Sequence, residues 1–176
     1  DATAERAWAA GATVLALEGN RGKGSALNAA LAALTDGGRD LPPLLLLIDA
    51  DLGVTARESW RLVEPVAAGQ ADMTVARFPS WATSRGFGLA RRFACAGVLL
   101  LARRYVSSPL SGQRALNARA LQTVLPLAPG WGAEVAMTVD ALRAGMRVVE
   151  IAVPFRHRVT GRDGAGFAHR ARQWID

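Results

Sequence analysis

Apolar and polar positions alternate along this chain in blocks that predict helix and strand by turns. Residues 2–10 read as a short helix stopped by Gly11, and residues 13–17 as a strand. Glu18-Gly19-Asn20-Arg21-Gly22-Lys23-Gly24 is a glycine-rich turn, and the alanine-rich run over 25–34 predicts a helix. A loop over 36–43 leads to Leu44-Leu45-Leu46-Leu47-Ile48-Asp49-Ala50-Asp51, an unbroken apolar run ending in two carboxylates one residue apart. A membrane span takes about 20 apolar residues, so this run suits a strand buried on both faces of a parallel sheet. Thr55 caps a helix over 55–67, closed by Gly69, and 73–76 is a short strand. A polar, glycine-bearing loop over 78–88 precedes a long helix over 89–105. Residues 107–116 form a turn feeding a strand, Asn117 caps a helix to Val124, and 126–130 breaks the chain. Trp131-Gly132-Ala133-Glu134 opens a helix to Ala144 with Gly145 as its C-cap. A strand over 146–153 ends at Pro154, a basic loop covers 155–163, and an amphipathic segment covers 167–174. This alternation predicts one α/β domain over residues 1–176, with a largely parallel sheet.

Composition narrows the class. The chain is 51% hydrophobic and 20% charged, a globular balance, with a formal net charge of +6. Arginine supplies almost all of the positive charge, because Lys23 is the only lysine. A basic surface suits phosphate-bearing ligands, anionic lipid or nucleic acid. Aromatics are sparse and not interleaved with the basic residues, which argues against nucleic acid as a partner. Cys95 stands alone, so there is no disulfide framework and no cysteine-rich zinc site. No stretch reads as a signal peptide or membrane span, and a reducing, cytoplasmic compartment is expected.

The chemistry concentrates at two turns. Ligands of open α/β sheets bind outside the carboxyl ends of the strands, where Asp49 and Asp51 sit. Two such acids repel unless a cation lies between them, and a divalent metal carrying phosphate oxygens fits. An N-cap and a turn acid would also explain the pair. The Gly22-Lys23-Gly24 turn, at a helix start, offers backbone N–H groups and an ammonium to an anion, although a plain turn is the simpler account. It is not a Walker A loop, since the spacing differs and no Ser or Thr follows the lysine. The 89–105 helix carries Arg91-Arg92 and Arg103-Arg104 around an apolar middle. That pattern fits an ordinary amphipathic helix with solvated ends, or one facing a membrane surface or a phosphorylated acceptor.

Gly22-Lys23-Gly24, Ile48-Asp49-Ala50-Asp51-Leu52, Ser111-Gly112-Gln113-Arg114-Ala115, Trp131-Gly132-Ala133-Glu134 and Val153-Pro154-Phe155 with Arg158 and Gly161 together resemble family 2 glycosyltransferases. The similar branches are the polyprenol-phosphate sugar synthases and the glucosyl-3-phosphoglycerate synthases. The resemblance implies a GT-A fold and a UDP- or GDP-sugar donor. It also implies Mg2+ or Mn2+, and hexose transfer to polyprenyl phosphate, 3-phosphoglycerate or another phosphorylated acceptor. It gives Asp49 and Asp51 the metal, with His157 as a third ligand suggested by the phosphoglycerate branch. Lys23, the flanking Gly22 and Gly24, Asp49 and Arg158 would serve the donor phosphates. Arg85, Arg91, Ser111 and Gly112 would lie on the acceptor side. Glu134 would lie near the sugar, as the base if the reaction inverts, and Asp51 would share the catalytic work. Gly53 and Asp163 depart from the polyprenol branch, which often has a polar residue and a serine there. Asp1-Ala2-Thr3-Ala4-Glu5 resembles the tail of a family segment whose first strand and base-binding acid lie upstream of residue 1. The isolated chain is therefore expected to be inactive until that segment is restored, and a domain that binds its nucleotide sugar without turnover is the non-enzymatic alternative. A sugar-nucleotide nucleotidyltransferase is the competing enzyme class. The expected place of action is the cytoplasm, at the inner face of the membrane if the acceptor is a lipid.

Overall fold

The computed structural model describes residues 2–19, 22–78 and 88–156. Its elements in order are α1 (Thr3–Ala9), α2 (Lys23–Thr35), β1 (Leu44–Leu47), a 3-10 segment (Gly53–Ser59), α3 (Trp60–Ala67), β2 (Met73–Arg77) and α4 (Gly88–Ala102). There follow β3 (Arg114–Asn117), α5 (Ala118–Val124), a 3-10 turn (Gly130–Gly132), α6 (Ala133–Arg143) and β4 (Val148–Ala152). The strands form one sheet in the order β1-β3-β2-β4. β2 and β4 pair in parallel, while β3 runs antiparallel to both β1 and β2. β1, β2 and β4 thus point the same way and β3 alone is reversed, inserted between β1 and β2.

Alternation along the strands splits the core into two layers. Met73, Val75 and Leu116 face Leu31, Leu121 and Met137 from α2, α5 and α6. Ala76 and Ala115 face the other way, with Leu62 and Val66 of α3 and with Leu52, Val153 and Phe155. Asp72 ties three strands together at one end of the sheet. It accepts from the backbone N–H of Arg147 at 2.8 Å and from Asn117 Nδ2 at 3.0 Å. That backbone bond leads the causes holding its carboxyl below the ordinary value of 3.8.

Several expectations need correction. Residues 13–17 do not form a strand: no ladder joins them to the sheet, and Val14, Leu15 and Leu17 stay exposed. β1 ends at Leu47, and all four of its residues are only half-buried, because it is an edge strand with β3 on one side. Thr55 does not cap an α-helix. It lies inside the 3-10 segment, where its hydroxyl donates to Leu52 O at 2.6 Å. α2 starts two residues early, so Lys23 belongs to the helix and not to the turn. α4 stops at Ala102, short of Tyr105, and Arg103 just beyond it takes a positive φ of 54°. Asn117 does cap α5 as expected, its side chain accepting from Ala120 N at 2.8 Å.

Candidate active site

Three elements meet around one ammonium group. Lys23, on the first turn of α2, reaches the segment just past the carboxyl end of β1. Its Nζ lies 2.8 Å from Asp49 Oδ1 and 2.9 Å from Glu134 Oε1 on the first turn of α6. Asp49 uses its other oxygen as well, Oδ2 accepting from Gln113 Nε2 at 2.5 Å. Gln113 is itself buried, and its Oε1 accepts from Ser111 Oγ at 3.1 Å. The result is a continuous chain from Ser111 through Gln113, Asp49 and Lys23 to Glu134.

The backbone explains why these side chains meet. Asn28 on α2 clamps Leu127 in both directions, donating to its O and accepting from its N–H, each at 2.9 Å. This fixes α2 against the segment that feeds α6. Gly22, at φ +80°, and Gly24 allow close approach to the same segment: a Cβ on Gly22 would sit 3.2 Å from Gly130 Cα, and one on Gly24 would overlap Ala128 O. Helix dipoles favour an acid in a first turn, and Glu134 occupies that place on α6. Lys23 has the reverse placement, an ammonium at a helix N-terminus, so its two carboxylates must offset both the dipole and partial burial. Burial lowers the affinity of Lys23 for its proton, but the hydrogen bonds and charges of Asp49 and Glu134 outweigh it, and its pKa is raised above the ordinary 10.5.

Gly112 completes the centre. A Cβ there would overlap Lys23 Nζ and press on both carboxylate oxygens of Asp49 at 3.1 Å. The obstructing lysine end is flexible, whereas the obstruction at Gly24 is backbone. Gly112→Ala should therefore expel Lys23 from its carboxylates and cost about 1–2 kcal/mol of stability. Gly24→Ala should cost about 3 kcal/mol or more, because the chain crossing itself must open. Urea denaturation of the two variants checks this, and the reverse ranking would contradict the geometry.

The other expected site residues are placed as follows. Asp51 is exposed on the turn two residues beyond Asp49. Arg91, on α4, donates to Ser107 O at 3.4 Å, at the far end of the turn that carries Ser111 and Gly112. Arg85, His157 and Arg158 lie outside the described residues. Among the described residues no group of three His, Cys, Asp or Glu side chains converges to hold a metal ion. The donor set still fits a hard cation that takes one or two carboxylates and fills its remaining positions with phosphate oxygens and water. Both Asp49 oxygens are engaged, and Asp51 lies exposed on the turn just beyond it. Gln113 and Arg114, both buried, carry no role in the sequence pattern. Gln113 fixes Asp49, and Arg114 is fully buried beneath the 109–111 turn, donating from Nη2 to Pro109 O at 2.7 Å and from Nε to Ser111 O at 2.8 Å. A Gln-Arg pair entering an Ala-Leu strand was the available signal. Among the described residues no helix is long and apolar enough to cross a membrane.

No family model matches the chain. No curated protein matches it either. Solved structures do. Glucosyl-3-phosphoglycerate synthase from Mycobacterium tuberculosis, in complex with Mn2+, UDP-glucose and phosphoglyceric acid, superposes with a TM-score of 0.67 at 28% identity over 99% of this chain. The same enzyme with Mn2+, UDP-glucose and glycerol 3-phosphate gives a TM-score of 0.66 at 27% identity. A mycobacterial protein gives 0.72 at 26% identity. This chain spans 62% of the length of the synthase chains and 58% of the mycobacterial protein. The chain thus has the mixed α/β architecture of GT-A glycosyltransferases and resembles them over nearly its whole length.

Proposed function

We propose that this chain is the core of a metal-dependent glycosyltransferase that moves glucose from UDP-glucose to a small phosphorylated acceptor such as phosphoglycerate. The observation that carries the reading is the Lys23 centre at the carboxyl end of β1, set in a fold whose neighbours hold Mn2+, UDP-glucose and phosphoglyceric acid. The sole lysine of the chain is poised there between two carboxylates. A donor diphosphate competes for that ammonium through charge-assisted hydrogen bonds. Asp51 would hold the Mn2+ or Mg2+, with His157 as a third ligand and Arg158 and Arg85 on the phosphates by resemblance. When bound, the ion stabilises the leaving diphosphate. The Ser111-Gly112 turn lines the acceptor side, and Arg91 supports the far end of that turn. Glu134 accepts the proton of the attacking hydroxyl. The neighbours' acceptors, phosphoglyceric acid and glycerol 3-phosphate, favour this reading over polyprenyl phosphate. They also favour sugar transfer over nucleotidyl transfer.

The test uses the full-length protein that carries this chain, with UDP-glucose, phosphoglycerate and manganese. The expected result is a glucosylated acceptor and one UDP per turnover, both lost on adding a chelator. Release of pyrophosphate from a nucleoside triphosphate and a sugar phosphate would identify a nucleotidyltransferase instead. Tight UDP–manganese binding without turnover on phosphoglycerate, glycerol 3-phosphate or polyprenyl phosphate would leave a binding domain.

A further inference from the structure

The segment from Ser107 to Gly112 forms no helix or strand, yet it delivers Ser111, Gly112 and Gln113 to the lysine centre. Two charged side chains from outside it hold its shape. Glu150, on β4, accepts from Ser107 N–H at 2.9 Å, from Ser107 Oγ at 2.8 Å and from Ser108 N–H at 2.8 Å. Arg114, the first residue of β3, turns back under the other half and donates to the carbonyls of Pro109 and Ser111. Its third arm leaves the turn altogether. Nη1 donates to Thr138 Oγ1 on α6 at 2.8 Å and lies 4.0 Å from Met73 Sδ. Thr138 Oγ1 in turn donates to Glu134 O at 2.8 Å. One guanidinium therefore grips the turn that presents Gly112 and, through one hydroxyl, the turn of α6 that presents Glu134.

This arrangement is costly for stability alone. Arg114 is fully buried, and its hydrogen-bond partners are neutral oxygens. Desolvation draws its pKa down to about 10, against the pull of the Glu134 charge, so the side chain stays protonated at neutral pH. Burying an ion without a carboxylate in contact is unfavourable relative to an apolar side chain of similar size. Its neighbours on the strand, Ala115 and Leu116, are such apolar side chains. What the guanidinium supplies, and an apolar group would not, is three fixed directions at once.

We propose that Arg114 is a positioning residue that sets the spacing between the 109–112 turn and the first turn of α6, and so governs how the phosphorylated acceptor meets the donor sugar. This rests on the glycosyltransferase reading above. It assigns Arg114 no contact with substrate. Lys23 and Asp49 also hold each other directly at 2.8 Å, whereas the acceptor-side turn hangs on Arg114 itself, so donor binding should suffer far less than acceptor use.

The experiment compares Arg114→Met, Thr138→Val and Leu121→Ala with the unmodified full-length protein. Leu121 is a buried α5 residue away from the polar centre and serves as the control for lost stability. For Arg114→Met and Thr138→Val, kcat/KM for phosphoglycerate should fall about 10- to 100-fold while UDP–manganese affinity by calorimetry changes less than about threefold. Leu121→Ala should lower the melting temperature without that split. Loss of both parameters in proportion to stability, or an unchanged kcat/KM, would overturn the proposal. Thr138→Val keeps the guanidinium and removes the one hydroxyl that joins it to α6 and to Glu134 O, so it decides the matter if Arg114→Met does not fold. Hydrogen exchange separates failure of this inference from failure of the glycosyltransferase reading. Even in a protein that transfers no glucose, Thr138→Val should speed exchange in 107–113 and 133–138 together, beyond any change in β2 and α3. Uniform acceleration, or acceleration of one segment alone, would refute the coupling.

Discussion

Asp51→Asn should abolish hexose transfer at any attainable manganese concentration while leaving the melting temperature nearly unchanged. Asp51 is exposed on a turn and contributes nothing to either core layer. On the proposed reading, its neighbour is poorly placed to take over a part in binding a cation. Asp49 Oδ1 is held by Lys23 and Oδ2 by Gln113, so turning Asp49 toward an ion would break both bonds. The amide of asparagine keeps the size of the side chain but removes the charge that a divalent ion requires. The loss should be on the order of a thousandfold or more in kcat, matching several kcal/mol of charge stabilisation at the leaving diphosphate. Asp49→Asn should behave differently. It leaves the Lys23 ammonium with Glu134 alone, so stability should fall along with activity. Manganese titrations of activity, paired with thermal melts, separate the two cases. Metal-dependent turnover surviving in Asp51→Asn would remove that residue from the cation site.

Much of this was written locally in the chain, and the parts that were not share a physical cause. The Asn117 cap, the Gly145 stop and the acids beyond the Leu44–Leu47 run are set by residues within a few positions of each other, and the structure places them as read. Sheet order is not local. Nothing in Arg114-Ala115-Leu116-Asn117 records that it lies reversed between β1 and β2, because pairing is fixed by partners about 40 to 70 residues away. The same limit explains residues 13–17, whose β-branched and apolar character suits a strand that no ladder completes. At the site, the sequence pattern marked Lys23, Asp49, Glu134 and Gly112 as separate candidates. It did not show that one ammonium joins the first two and Glu134, nor that Gly112 is small because that ammonium fills the space beside it. The Gly22-Lys23-Gly24 turn suggested a phosphate cradle, yet both glycines are also required by the crossing of the 128–130 backbone. A glycine needed for packing and a glycine needed for a ligand look alike in sequence.

Glu134→Gln gives the sharpest test of the chemistry. In the structure Glu134 Oε1 is 2.9 Å from Lys23 Nζ, and the carboxylate is almost wholly buried. On the proposed reading, a donor diphosphate would give Lys23 a third anionic partner and loosen its hold on Glu134, leaving that carboxylate to take the proton of an attacking acceptor hydroxyl. Donor binding and the readiness of the base would in this way be linked through one lysine. Glutamine preserves the shape but can accept no proton, so kcat should fall by about 10²- to 10⁴-fold, the range for removing a general base. Donor affinity should hold or tighten, because the diphosphate no longer competes with the Glu134 charge for Lys23. Calorimetry with UDP and manganese, set beside single-turnover rates with UDP-glucose and phosphoglycerate, reads both quantities. Weakened UDP binding with chemistry intact would make Glu134 a residue that orients Lys23, not a base. Unchanged rates with unchanged binding would point to an acceptor that attacks through an oxygen already ionised, as a phosphate does, and needs no base at all.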